Sequence, residues 1–146
     1  MKQGNFVAEI FINAPLEKVV YLATSFERHA TLHPLIVNIQ EVPAEPPVLR
    51  RYWITDQLAM GIFHFKIKYR TDILKLTKNE AHIEAWQSPG VHIISHMTFV
   101  EKDGGTHLRE DYTIEAPYLL FNYTFKQAKS SHEGLFARLK QAAESL

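Results

Sequence analysis

The sequence contains no cysteine, which excludes disulfide bonds, thiol nucleophiles and thiolate zinc sites. It also lacks a run of about 18 apolar residues, the length that crosses a membrane. Its first residues, MKQGN, do not begin the apolar core of a signal peptide. We therefore expect a soluble, cytoplasmic protein that does not insert stably into membranes.

The sequence has no excess of charge of either sign, because 16 Lys and Arg residues balance 16 Asp and Glu residues. Without a net positive field, nothing attracts a phosphate backbone or an anionic membrane surface. Nucleic acid is therefore not an expected partner. The oligomeric state does not follow from the sequence.

Length and aromatic content are both informative. The 146 residues match the usual size of one domain with its own core, so residues 1–146 are predicted to form a single domain. The chain has 9 Phe, 6 Tyr and 2 Trp, and such large rings suit either a core or the lining of a cavity.

A strand and two short helices are predicted near the N-terminus. Residues 5–13 are β-prone, and Asn13 and Pro15 are placed to cap and to open a helix over residues 16–22. A second helical turn is predicted over residues 26–32.

Residues 35–116 have the pattern of five or six successive antiparallel strands, which brings the predicted sheet to about six or seven. Within residues 62–74, apolar and polar side chains alternate strictly, so one face of that strand is predicted to be apolar and the other solvated. The breaks between strands fall at residues 43–47, 78–80, 88–90 and 103–105.

The segment after Pro117 has the clearest helical periodicity in the chain. As one helix of 29 residues it would be roughly 40 Å long, enough to cross a whole sheet. Its predicted apolar stripe comprises Tyr118, Phe121, Phe125, Ala128, His132, Leu135, Phe136, Leu139, Ala142, Ala143 and Leu146.

An antiparallel sheet with one apolar face must cover that face, and the C-terminal helix is the only predicted element long enough to do so. If the sheet curls strongly around the helix, the two surfaces diverge at one end and leave a cavity. The alternative is a solid core filled by side chains.

Several short motifs resemble the SRPBCC superfamily, the START-like and birch-pollen-allergen-like helix-grip proteins. Their order and spacing cover nearly the whole chain, and the middle ones resemble the polyketide cyclase and ligand-binding branch. The motifs are INAPLEKV at 12–19, residues 26–28, His33-Pro34, Ser88-Pro89-Gly90, Phe99, residues 103–106 and Pro117.

This resemblance implies an α+β fold in which a curved antiparallel sheet wraps around the long terminal helix. It also implies a deep apolar cavity that holds a lipid, polyketide, quinone or similar ligand. The chain departs from the family pattern at Val20 and Leu32, where aromatic residues are common, and at Ser95 and Met97, where the branch often has histidines.

Strand alternation places Glu110 and Tyr112 on the face that should meet the helix. A carboxylate on an apolar face is costly unless it is paired or protonated, so Glu110 is the most informative residue. His132 and Tyr69 also lie in apolar patterns. The predicted ligand-binding set is Tyr69, Glu110, Tyr112 and His132, with Phe65, Phe125 and Phe136. The alternative is that Glu110 is held for structural reasons, or is hydrated at an open end.

Other kinds of site are not supported. His29 and His33 lack accompanying carboxylates, and His92 and His96 would lie roughly 13 Å apart on a strand. The basic residues of 64–70 alternate with apolar ones and indicate a solvated strand face. There is no phosphate-binding loop or serine-hydrolase elbow. We therefore expect neither a metal nor a cofactor.

Three functions remain open. The first is binding or carriage of a hydrophobic small molecule, which needs no catalytic set. The second is a cofactor-free enzyme of the polyketide cyclase or dehydratase type, with Glu110 or His132 as the catalytic acid-base group and Tyr69 or Tyr112 stabilising an enolate. The third is a co-chaperone or quinone-chaperone interaction module, although the sequence shows no surplus of exposed apolar residues.

Overall fold

The computed structural model describes residues 1–26, 32 and 35–145. The strands are β1 (Lys2–Ile12), β2 (Ile36–Val42), β3 (Arg50–Met60), β4 (Phe63–Leu76), β5 (Glu80–Gln87), β6 (Val91–Lys102) and β7 (Gly105–Ala116). The helices are α1 (Leu16–Thr24), between β1 and β2, and α2 (Tyr118–Glu144), after β7.

The strands form a seven-stranded antiparallel sheet in the order β1-β7-β6-β5-β4-β3-β2. Strands β2 to β7 are a simple meander, and β1 joins its far edge beside β7. The predicted α+β helix-grip architecture is therefore confirmed. The second short helix predicted over residues 26–32 lies largely outside the described residues.

The turn between β6 and β7 shows how sequence chemistry sets the sheet register. Lys102 and Gly105 are paired, which leaves a two-residue connection. Asp103 and Gly104 both have positive φ, at 52° and 79°. Two left-handed residues make the type I′ turn that matches the twist of a hairpin, so the predicted break at residues 103–105 is confirmed.

The start of α1 differs from the sequence expectation. Pro15 occupies the N-cap position, and no side chain caps the helix. Asn13 therefore does not cap it; its backbone N–H instead donates to Glu144 Oε2 at 2.8 Å. The end of the long helix is thus joined to the segment that follows β1.

Helix α2 begins directly after Pro117 and runs for 27 residues. The buried part of the apolar stripe includes Phe121, Leu135, Leu139 and Ala143. The stripe does not extend to Tyr118, which is 71% exposed.

Helix α2 packs most closely against β1, β7 and α1. Gly4 on β1 permits this approach, since a Cβ there would lie 2.5 Å from Phe121 Cζ and 3.0 Å from Phe125 Cε2. The helix is therefore held tightly along one side of the sheet, and the inner face of β3 to β5 curves away from it.

One residue of the predicted solvated face of β4 is not solvated. Asp72 is only 2% exposed. Arg51 on β3 donates two hydrogen bonds to it, from Nε to Oδ1 at 2.8 Å and from Nη2 to Oδ2 at 2.9 Å. The planar guanidinium both pairs and covers the carboxylate, so alternation alone gave the wrong exposure for this position.

Candidate functional site

A cavity of about 180 Å³ lies between the inner face of the sheet and α2. Its wall is mainly apolar and is built from alternate residues of β3 to β7, such as Ile54, Ile83 and Leu108, and from Phe136 on the helix. A cavity of about 150 Å³ is large enough to hold a benzene molecule. Side chains therefore do not fill this space, contrary to the solid-core alternative.

Some polar residues of the wall are partly exposed. Gln87 at the end of β5 and Gln127 on α2 are half-buried, and Tyr123 on α2 is 39% exposed. Tyr123 and Gln127 both lie in the first half of α2. The wall therefore combines a mainly apolar lining with partly exposed polar groups from the helix and from β5.

Glu110 is the most deeply buried acid in the wall, at 2% exposed. Its Oε1 lies 2.8 Å from Nδ1 of His132 on α2. Its Oε2 accepts a hydrogen bond of 2.5 Å from the Ser95 hydroxyl on β6. Both carboxylate oxygens are thus engaged, and the arrangement is one in which a carboxylate orients an imidazole.

Tyr112 lies two residues further along β7 on the same face. Its ring stacks on Phe6 at a centroid distance of 4.9 Å and lies 4.3 Å from the His132 ring. Burial, and next the neighbouring charge of Glu110, raise the pKa of Tyr112 well above its usual range. The phenol therefore remains protonated.

A second acid, Asp56 on β3, lines the same cavity. It accepts a hydrogen bond of 3.1 Å from the Tyr69 hydroxyl on β4. Burial raises the pKa of Asp56 from 3.8 to about 6, although the Tyr69 hydrogen bond opposes this shift. Burial is also the main reason why the pKa of Tyr69 lies well above 10.0.

Sequence reasoning missed Asp56, although a signal was present. The residue lies between Ile54 and Leu58 at the spacing of one strand face, as Glu110 does between Leu108 and Tyr112. The importance of Asp56 depends on Tyr69, which the β3–β4 register brings to the position opposite Ile54.

Thr71 adds a further polar group to the wall near Tyr69. It is 3% exposed, and its hydroxyl has no hydrogen-bond partner among the described residues. Buried hydroxyls without a partner are uncommon, because each one costs desolvation free energy. Thr71 is thus available to a molecule inside the cavity.

The structure brings together most of the predicted set. Tyr69, Glu110, Tyr112, His132 and Phe136 all line the cavity, and their role in binding stays a prediction. Phe65 and Phe125 are not part of this wall. Phe65 lies toward the β3–β4 turn, and Phe125 packs against Phe6 and Phe121 where the helix is pressed onto β1.

The outer face of the sheet carries most of the remaining histidines. Glu84 contacts Nε2 of His82 at 2.9 Å and Nε2 of His92 at 2.7 Å. Within the part of the chain that the structure describes, no group of three or more His, Asp or Glu residues is arranged to hold a metal ion. His29 and His33 lie outside the described residues.

Apolar residues are more exposed at two places than the sequence indicated. At the β3–β4 turn, Ile62 and Phe63 are 88% and 70% exposed, and at the start of α2, Leu119 is 98% exposed. The β3–β4 hairpin projects beyond its neighbours, so its tip has no layer to cover it. The expectation of no exposed apolar surplus is therefore wrong at these positions.

Comparison with solved structures gives the fold. TTHA0849 from Thermus thermophilus matches with a TM-score of 0.75 and 22% identity, over 97% of this chain and 100% of that protein. Ara h 8.0201 matches with a TM-score of 0.74 and 14% identity, over 97% and 98%. This chain has the helix-grip fold. The predicted resemblance is thereby confirmed at the level of the fold.

A further helix-grip match is to BexL, a di-domain ARO/CYC protein from the BE-7585A biosynthetic pathway. The TM-score is 0.79 and the identity 11%. The match covers 99% of this chain and 51% of BexL, so this chain spans about half the length of that protein. No protein-family model matches this helix-grip chain. A search of curated proteins gave no match either.

Among the described residues, no helix has both the length and the apolar character needed to cross a membrane.

Proposed function

We propose that this protein binds a compact hydrophobic small molecule in the cavity between the sheet and α2. The observation that carries this proposal is an unfilled, mainly apolar space of about 180 Å³ between the sheet and the helix. An apolar cavity of this kind favours apolar guests, because filling it removes their surface from water. The same fold in a protein named ARO/CYC, from a biosynthetic pathway, is consistent with this role.

The volume favours a molecule of one or two rings over a long-chain lipid. Pockets for drug-sized ligands usually enclose about 300 to 1,000 Å³, which is more than this cavity holds. In this proposal Phe136 contacts the apolar body of the ligand. Tyr69, Glu110, Tyr112 and His132 fix the orientation of its polar atoms.

Calorimetric titration with 2-naphthol, a neutral two-ring compound, tests the proposal. We expect saturable binding with one ligand per chain. Ala85→Leu places a larger side chain in the cavity wall, so it should weaken binding at least about ten-fold, or 1.4 kcal/mol. The same variant should keep or raise the melting temperature, because it fills empty space.

Ala137→Leu is the matched control, since Ala137 lies on the exposed side of α2. It should bind 2-naphthol as the wild type does. Absence of saturable binding to the wild-type protein, or unchanged binding in Ala85→Leu, would contradict the proposed function.

A second candidate, a cofactor-free cyclase or dehydratase-type enzyme, is favoured by the contact between Glu110 and His132. Because both Glu110 oxygens are already engaged, His132 would accept the proton and Glu110 would orient it. Exchange of the α-hydrogens of 2-tetralone in D₂O, followed by NMR, tests this activity. Equal exchange rates for the wild type and His132→Ala would exclude it.

A further inference from the structure

The charged groups of the cavity wall are of one sign. The wall contains the carboxyl groups of Asp56 and Glu110 and, among the described residues, no Lys or Arg. His132 is the one lining residue of the described set that can carry a positive charge, and it lies 2.8 Å from Glu110. Any positive charge on that imidazole is therefore already balanced.

Asp56 has no such balance. Tyr69 donates a hydrogen bond to Oδ1, and within the described residues no cationic side chain contacts Asp56 and no further donor reaches its second oxygen. The hydrogen bond from a neutral phenol compensates only part of the hydration that this buried carboxylate has lost. The unsatisfied Thr71 hydroxyl lies in the same wall.

Asp56 and the cluster formed by Glu110 and His132 line the same cavity. The charge of Asp56 acts on Tyr112, which lies beside Glu110 and His132, and Tyr69 and Tyr112 also interact electrostatically. A molecule within the cavity therefore meets both Asp56 and the Glu110 cluster. An anionic guest would lose its own hydration and would meet a carboxylate instead of a cation.

We propose, on the basis of the binding function above, that this cavity selects neutral or cationic ligands that present a hydrogen-bond donor to Asp56, such as phenols, alcohols or amines. Fatty acids and other carboxylates bind more weakly. Asp56 is the residue that determines this specificity, because it is the wall acid whose charge no described residue balances. Glu110 contributes less, since His132 and Ser95 already engage it.

Three ligands with the same naphthalene body test this inference: 2-naphthol, 2-naphthylmethylamine and 2-naphthoate, titrated calorimetrically at pH 8. We expect 2-naphthoate to bind at least about ten-fold more weakly than the other two. Asp56→Asn keeps an oxygen that accepts from Tyr69 but removes the charge. It should weaken binding of the amine about ten-fold and reduce the discrimination against 2-naphthoate.

Asp103→Asn, in the exposed β6–β7 turn, is the matched control and should leave all three affinities unchanged. If 2-naphthoate binds as tightly as 2-naphthol, the charge inference is overturned and the binding function stands. The assignment to Asp56 is wrong if Asp56→Asn discriminates as the wild type does. Failure of all three ligands to bind would overturn both proposals.

Discussion

Asp56, on the inner face of the sheet, is compensated less than Asp72 and Glu84 on the outer face. On the outer face, Asp72 receives two hydrogen bonds from Arg51, and Glu84 lies between His82 and His92. On the inner face, Ser95 and His132 engage Glu110, but among the described residues Asp56 receives only the neutral hydroxyl of Tyr69. An outer acid is therefore compensated by neighbouring strands. Asp56 keeps a desolvation free energy that a structural role does not require. Such costs are typical of functional sites.

Aromatic rings are also packed differently on the outer and inner faces of the sheet. Outside, Lys68 Nζ lies 5.3 Å from the Trp53 ring centroid and the Arg70 guanidinium lies 4.4 Å from that of Trp86. These cations cover the rings and close the outer surface. Inside, Tyr112 and Phe6 stack where the helix is close, whereas the inner face of β3 to β5 lines the cavity.

The largest expected effect comes from breaking the ion pair between Arg51 and Asp72 on the outer face. Asp72→Asn removes the charge while keeping the shape, and it should lower the free energy of unfolding by about 3 kcal/mol at pH 7. This is the lower end for a broken buried ion pair, because Arg51 is partly exposed and can regain water. Urea unfolding measures it. A loss below about 1 kcal/mol would show that the pair contributes little more than a surface ion pair does.

The corresponding substitution on the inner face, Asp56→Asn, should change the free energy of unfolding in the opposite direction. The pKa of Asp56 is about 6 in the folded protein, whereas its ordinary value is 3.8. The folded protein therefore holds this proton more tightly than the unfolded chain does, and the ionised form of Asp56 destabilises the fold above about pH 6. Asp56→Asn should therefore raise the free energy of unfolding at pH 8 by about 2 kcal/mol, allowing for the partial exposure of the side chain.

This gain should decrease as the pH falls through 6 and vanish below 3.8, where the folded and unfolded wild-type chains are both protonated at this position. Urea unfolding at pH 8 and pH 4 checks the prediction. Asp103→Asn serves as the exposed control for both substitutions. A gain that is equal at the two pH values would contradict the assigned cause.

A smaller effect is expected at Gly4, where α2 packs closely against β1. Gly→Ala in a strand ordinarily stabilises slightly, but at Gly4 the new methyl group would collide with Phe121 and Phe125. Gly4→Ala should therefore lower the free energy of unfolding by about 1 kcal/mol. Gln3→Ala, on the outer face of the same strand, is the control. A stabilised Gly4→Ala protein would mean that α2 is not pressed onto β1 as described.

Much of the site could be predicted from alternation along single strands. The period of two places Glu110 and Tyr112 inward, and the period of the helix places His132 toward them. Neither pattern reveals that Ser95 reaches Glu110, because that contact depends on how β6 and β7 align. Phe65 and Phe125 fit the same patterns yet lie outside the cavity wall, since a pattern gives the face of an element and not the position along it.

The sequence by itself determined the succession of strands along the chain, the turn at Asp103-Gly104 and the long helix after Pro117, because each depends on residues close together in the chain. Only the tertiary structure decided that the sheet curves away from α2 along β3 to β5, and that Asp56 is thereby left in the cavity wall without a cation among the described residues. The physical reason is that the charge environment of a buried group is set by neighbours from other strands, whose approach depends on the packing of the whole sheet against the helix.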